Sequence, residues 1–447
     1  MDKCEKILNK LSKKDLDQYE VFGSNLKSIS IDMEKNSIKD FTESFDSGFS
    51  IRIVKNKKIG FAYSTSFSDD KIDNLINRAI KFSKVGKPDK DFHSFPIKKE
   101  YKTIKNLYDP KLMNISPDIV IDNLNIISEA ANKDQKVYSV SAGISIDNFK
   151  EIILNSNDIK GQSTHSEIDL YVNVTTKEGS ETGSSFDFQS SRFLKEISPG
   201  KIGNRAADLA LKSLKAKKLK SGSLPVIFHP ITISKILGSG IGSAINAEAI
   251  QYQQSYLTDM IGEKLMREDF LIEDNGLYIK ENGIAGIGSG PFDAEGFPTQ
   301  STIIFQDGIL KNYLHNCYTS NKVNAQNTGN AHRIGYRSPP NISYNNLVFH
   351  PGKDGELSDL IENTKKGIIL YYTGDNPNII TGDLSAMVHT GFYIEDGKII
   401  SGLRNTMIGI NMLDFFKNID LIGSEVENVG RISCPPIKVS NIKISGA

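Results

Sequence analysis

The chain has 447 residues, 38% hydrophobic and 24% charged, the proportions of an ordinary water-soluble globular protein with room for about three domain-sized units. Lys plus Arg and Asp plus Glu both number 54, so the formal net charge is zero. That balance removes the electrostatic argument for a nucleic-acid partner, which requires a strongly basic face.

The three cysteines, Cys4, Cys317 and Cys434, are scattered and unpaired in sequence, as in a reducing compartment. The N-terminal MDKCEKILNKLSKKD lacks an apolar leader core, and no stretch approaches 18 consecutive apolar residues. The expectation is a cytoplasmic protein with no membrane contact.

Ile7, Leu8 and Leu11 share one face of an opening helix. Ile29, Ile31 and Met33, then Phe49, Ile51 and Ile53, and then Ile59, Phe61 and Tyr63 alternate with polar residues. They predict strands with one buried face. Ser68 caps a helix whose stripe is Ile72, Leu75, Ile76, Ala79 and Ile80. From 86 to 114 the pattern dissolves, which predicts a linker or long surface connection.

Ser116-Pro117 starts a second helix, strands are expected over 137–147, 150–155, 167–176 and 184–189, and Ser198-Pro199 opens a third helix. Residues 1–220 therefore predict a bipartite α+β region, with subregions of about 1–85 and 115–220. The basic run Lys212–Lys220 reads as a solvated helix end. After the small-residue boundary Ser221-Gly222-Ser223, residues 221–447 predict a β-rich domain built on antiparallel hairpins. Two of these carry Asp-Gly turns, at Asp307-Gly308 and Asp396-Gly397.

The densest motif runs from Gly290 to Arg337. It contains the loop PFDAEGFPT, a hairpin, K-N-Y-L, a short helix near Tyr318–Val323, and T-G-N-A-H-R. Together with Thr381-Gly382-Asp383 and the Gly391–Lys398 hairpin, this arrangement resembles the TldD/PmbA family, peptidases and peptidase-like proteins also called modulators of DNA gyrase. The likeness is strongest to the PmbA (TldE) branch. It implies hollow dimers enclosing a peptide-cleaving chamber, with zinc supplied by the TldD side. The chain then has as partner either a TldD-like metallopeptidase subunit or a second copy of itself, and peptides as substrates. The resemblance points to Asp293, Glu295, Gly296, Thr299, Thr328, Gly329, Asn330 and Arg333 as substrate-channel residues.

Read from the residues alone, Asp293 and Glu295 are either an acid/base pair or solvated acids in a turn. The Asn327–Asn330 loop either presents backbone groups to a peptide or is held by its own side chains.

In the catalytic TldD branch a helix after the boundary strand carries H-E-x-x-x-H. Two histidines hold zinc, the glutamate is the base, and a later cysteine completes the site. A peptidase zinc takes about three protein ligands and leaves a place for water. Here His229 is followed by Pro230, and the second histidine position is Ser234. Without that pair Cys434 reads as a buried structural thiol, and neither metal nor catalytic residues are expected in this chain. The primary reading is a non-catalytic subunit of an intracellular zinc metallopeptidase acting on small or unfolded peptides. Two others stay open: a homodimeric peptide-binding scaffold, and a thiol hydrolase using Cys317 with His315 or His332, although Cys317, just after a strand, reads first as a packed strand-end cysteine. The Gly238–Gly242 run lacks the end of a phosphate loop and reads as a close-packing segment.

Overall fold

A computed structural model describes residues 1–446. Its first half is built around one antiparallel sheet. The strands are β1 (Gln18–Glu34), β2 (Ser37–Lys55), β3 (Lys58–Ser64), β4 (Val137–Asn155), β5 (Lys160–Glu178) and β6 (Glu181–Ser191). They lie in the order β3-β2-β1-β4-β5-β6. Each predicted subregion thus contributes three strands to a shared sheet, joined where β1 pairs antiparallel with β4. The strands are longer than the sequence pattern indicates: 137–147 and 150–155 form one continuous strand. The residues between them, Asn148 and Phe149, sit within an unbroken ladder to β1 and β5.

Alternation gives the sheet two different faces. Ile29, Ile31, Met33, Ala142, Ile144, Ile146, Leu170 and Val172 point to one side, where they pack on α3 (Pro117–Ala131) and α4 (Pro199–Lys212). Val21, Phe49, Ile51, Ile53 and Leu154 share that side and pack on α1 (Asp2–Leu11) and α2 (Asp69–Val85). All four helices therefore cover a single face, and the opposite face is turned toward the second half of the chain.

Residues 86–114 run as a strap between the halves and are tied down along their length. Phe92 and Phe95 pack with Val54, the Tyr101 hydroxyl donates to the Gly296 carbonyl at 2.9 Å, and Asn106 donates to Gly283 at 2.8 Å.

The second half contains an eight-stranded mixed sheet. In spatial order its main path is Asp383–Met387, Thr406–Asn411, Ile437–Gly446, β7 (Gly222–Phe228), Lys366–Tyr372, Thr390–Glu395 and Lys398–Gly402, with Ile419–Ile422 beside Ile437–Gly446. A six-stranded sheet that includes Ser301–Gln306 and Ile309–Leu310 packs nearby, and a large core unites the two. At the turn between those last two strands Asp307 and Gly308 have φ of 55° and 73°, the left-handed pair that a type I′ turn requires. α5 (Pro230–Gly240) follows β7 directly. A Cβ on Gly238 would lie 2.5 Å from Ile432, so the small residues here do permit close packing.

Candidate functional site

The Gly290–Arg337 motif lies against the open face of the N-terminal sheet, where four charged residues from four segments meet. Glu20 on β1 and Arg52 on β2 are cross-strand partners. Arg52 donates to Glu20 at 2.5 and 2.9 Å and to Glu295 at 2.9 Å. Arg333 donates to Glu20, to the Ser50 hydroxyl at 3.3 Å and to the Ala294 carbonyl at 3.2 Å. The Arg52 guanidinium lies over the Phe95 ring and that of Arg333 over Phe22.

Glu20 is 0% exposed and Glu295 2%. Burial drives the Glu20 carboxyl upward, but Arg52 and Arg333 more than offset this and hold it below its ordinary value. The four charges form an alternating, fully bonded cluster joining the two halves of the chain.

Asp293 is 5% exposed, so neither acid of the loop is a solvated turn residue. Its oxygens accept from the backbone N–H groups of Glu295 and Phe297 (both 2.9 Å) and of Ala331 (3.0 Å). Burial first, then Glu295, pushes the carboxyl upward.

The remaining motif residues are also tied inward. Thr299 donates to the Gly290 carbonyl. Thr328 accepts from the His315 N–H at 2.6 Å and donates to its carbonyl at 3.0 Å. Gly329, at φ 72°, passes so close to Pro298 that a Cβ would lie 2.6 Å from its carbonyl oxygen. Asn330 donates to buried Asp274 at 2.6 Å. Gly296 turns the loop at φ 79°. Of the eight residues singled out in sequence, Asp293 and Arg333 border one cleft, while Thr328 lines a second pocket beside His315 and Glu295 a third beside Cys317.

The first cleft, of about 460 Å³, lies between the open sheet face and the second half of the chain. Glu151 on β4 and Ser163, His165 and Glu167 on β5 form one wall; Gly288–Gly290, Asp293, Ala331 and Arg431 form the other. Burial, then Arg192, depresses His165 to about 3, and burial, then Arg431, depresses His332 to about 4; both imidazoles are neutral. Sequence reasoning did not single out Glu20, Arg52, Glu151, Glu167 or Arg192. The available signal was a charge inside an alternating apolar strand, as with Arg52 between Ile51 and Ile53.

Cys317 is a packed strand-end cysteine. It is buried, its thiol contacts the Ser94 carbonyl at 3.2 Å and the Asn321 amide at 3.5 Å, and its N–H donates to Glu295 at 3.0 Å. Burial, then Glu295 and Asp293, raises its pKa, the opposite of what a nucleophile needs. The His315 imidazole is directed to Thr319 at 3.2 Å, not to this sulfur.

His229 caps α5, its Nδ1 accepting from the Ile231 N–H at 3.3 Å while the ring stacks on Tyr371. Cys434 is fully buried with its sulfur 3.5 Å from the Pro230 carbonyl. The cysteine thus lies beside the start of α5. Ser234, however, turns its hydroxyl to the Ile231 carbonyl at 2.8 Å, and no group of three His, Cys, Asp or Glu suited to a metal forms among the described residues. This donor set does not fit a peptidase zinc.

Models of the PmbA/TldA metallopeptidase domains match residues 19–83 (domain 1), 111–214 (central domain) and 221–446 (C-terminal domain), and the chain belongs to the PmbA/TldD family. It is 28% identical over 452 residues to a metalloprotease PmbA homolog of Buchnera aphidicola, covering 98% of this chain and 95% of that protein. It is 27% identical over 434 residues to an uncharacterized protein of Methanocaldococcus jannaschii, covering 97% of each. Among solved structures, TldE from Thermococcus kodakarensis shares the fold with a TM-score of 0.89 and 23% identity, covering 99% of this chain and all of that one. No helix of the described residues is long and apolar enough to cross a membrane.

Proposed function

We propose that this chain is the PmbA (TldE)-type, non-catalytic subunit of a TldD-type zinc metallopeptidase that acts on small or unfolded peptides in the cytoplasm. The observation that carries the reading is α5. At the place where the catalytic branch holds two histidines and a glutamate, this chain has a helix-capping His229, then Pro230, then Ser234 bonded to its own helix. The zinc and its activated water belong on a TldD-like partner. This chain supplies wall and peptide contacts, with the Glu20–Arg52–Glu295–Arg333 cluster holding that wall in position.

The test is reconstitution. A pull-down from native extract should return a partner bearing H-E-x-x-x-H, and the mixture, unlike either the isolated chain or a chelator-treated mixture, should cleave an unfolded casein-like substrate. A self-paired chain that binds peptides without such a partner would move the assignment to a homodimeric scaffold.

A further inference from the structure

Hydrogen-bond accounting in the cleft is lopsided. The three guanidinium groups of its lining are largely committed to protein acceptors. Arg192 donates to the carbonyls of Gly286 at 2.9 Å and Ser289 at 3.1 Å. Arg333 is held by Glu20, Ser50 and Ala294. Arg431 donates to the Tyr344 carbonyl at 2.9 Å and lies over that ring. The Asp293 acceptors are likewise filled by three N–H groups.

What stays open is acceptor capacity. Glu151 and Glu167 line the cleft with no hydrogen-bond or ion-pair partner among the described residues, and between them His165 stacks on Phe149 at 4.7 Å. Both acids are half-buried, and a partly dehydrated carboxylate without a donor gains from a ligand bringing N–H groups and positive charge.

The geometry points to this cleft as a site for basic side chains of an extended peptide, with Glu151 and Glu167 each receiving one ammonium or guanidinium group. The inference rests on the peptide-handling reading above for the choice of a peptide as the carrier of the cations.

Register fixes the spacing. Glu151 lies opposite Ser163 in the β4–β5 ladder, and Glu167 is four residues further along the same face of β5. Four residues of strand span about 13 Å, which matches side chains i and i+4 of an extended peptide. The Phe149–His165 stack between the two acids offers a flat surface for aliphatic stems.

Beyond the cleft the same sheet face carries Asp147, Asp169 and Asp32, and none of its residues over Ser24–Asp32, Gly143–Glu151 or Ser163–Tyr171 is Lys or Arg. Burial pushes Glu151 up to about 6, and burial, then Asp169, pushes Glu167 up to about 7. A bound cation would reverse both shifts.

Fluorescence anisotropy on the isolated chain tests this, using labelled synthetic peptides with lysines at i and i+4, the same peptide with glutamates, and one with adjacent lysines; spermine serves as competitor. The i,i+4 dilysine peptide should bind about tenfold more tightly than the glutamate version and measurably better than the adjacent-lysine version. Glu151→Gln and Glu167→Gln should each weaken it by about fivefold or more with the melting temperature not lowered, and Glu151→Asp serves as a second variant should the first fail to fold.

Equal binding of the glutamate peptide, or binding unchanged in both Gln variants, overturns the site. Spermine binding as tightly as the peptide overturns the peptide as its ligand. Cleavage by a reconstituted complex with no preference for basic peptides overturns this inference and leaves the subunit assignment standing. Dilysine binding by a chain that no zinc-motif partner joins does the reverse.

Discussion

Arg52 donates to Glu295 at 2.9 Å across 243 positions of sequence, and through it a strand of the first half is fastened to a loop of the second. The same guanidinium also holds Glu20, which Arg333 engages from the other side.

Removing one member of this cluster strands a buried charge. Arg333→Ala should cost about 3–5 kcal/mol, whereas the matched double change Glu20→Gln with Arg333→Met should cost clearly less than the sum of its two single changes. Denaturant unfolding of the four variants of the cycle checks it, and strict additivity would show that the pair is not coupled.

Asp293→Asn keeps the size of the side chain but turns an NH2 group toward one of three backbone donors. A buried N–H is then left without an acceptor, at a cost of about 1–3 kcal/mol. Equilibrium unfolding measures this. A stability unchanged from the parent chain would mean that the loop does not depend on its carboxylate.

Burial, then Asp169, pushes the Glu167 carboxyl from its ordinary 4.5 up to about 7 in the folded chain. Between those values the native state holds a proton that the unfolded state releases, so this group's contribution to stability falls as pH rises. Melting curves of the parent and Glu167→Gln should run together below about pH 4.5, diverge between about pH 4.5 and 7, and keep a constant gap above that, with the variant more stable. Parallel curves across that range would contradict the shift.

The Cys317 thiol should react slowly. In native protein a disulfide reagent should modify it orders of magnitude more slowly than after denaturation, since the thiol is buried and its thiolate disfavoured. Fast modification of Cys317, read by peptide mapping, would reopen the thiol-hydrolase reading.

The isolated chain should hold no stoichiometric zinc at neutral pH, because His229 and Cys434 supply two donors where about three are needed. Elemental analysis of protein purified without chelator decides this. One zinc per chain would remove the non-catalytic assignment.

Much of this arrangement is legible in the sequence because it is local. Period-two alternation marks β1 to β3, Ser116-Pro117 marks the start of α3, and Asp307-Gly308 marks a turn by the φ values it needs. The motif around Asp293 and Arg333 is equally plain, but its environment is not. Burial of Asp293 and Glu295 depends on Glu20 and Arg52, whose approach is a property of tertiary packing and leaves no spacing to read. The cleft carboxylates are hidden for a related reason. Glu151 and Glu167 occupy ordinary outward positions of alternating strands, and only the packing of the second half over that face sets them apart. The packing of Cys317 at a strand end is legible, but the strap at Ser94 that covers it is not.

The strand Ile437–Gly446 lies in the interior of the eight-stranded sheet, between β7 and Thr406–Asn411. During synthesis, β7 leaves the ribosome some two hundred residues before the segment that must pair with one of its edges. The second half therefore cannot close as its residues emerge, and its apolar core stays open until translation passes about residue 446. Nascent chains stalled upstream of Ile437 should be protease-sensitive throughout this half and should depend on chaperones, whereas the six-stranded sheet, complete by Ser191, can already be folded.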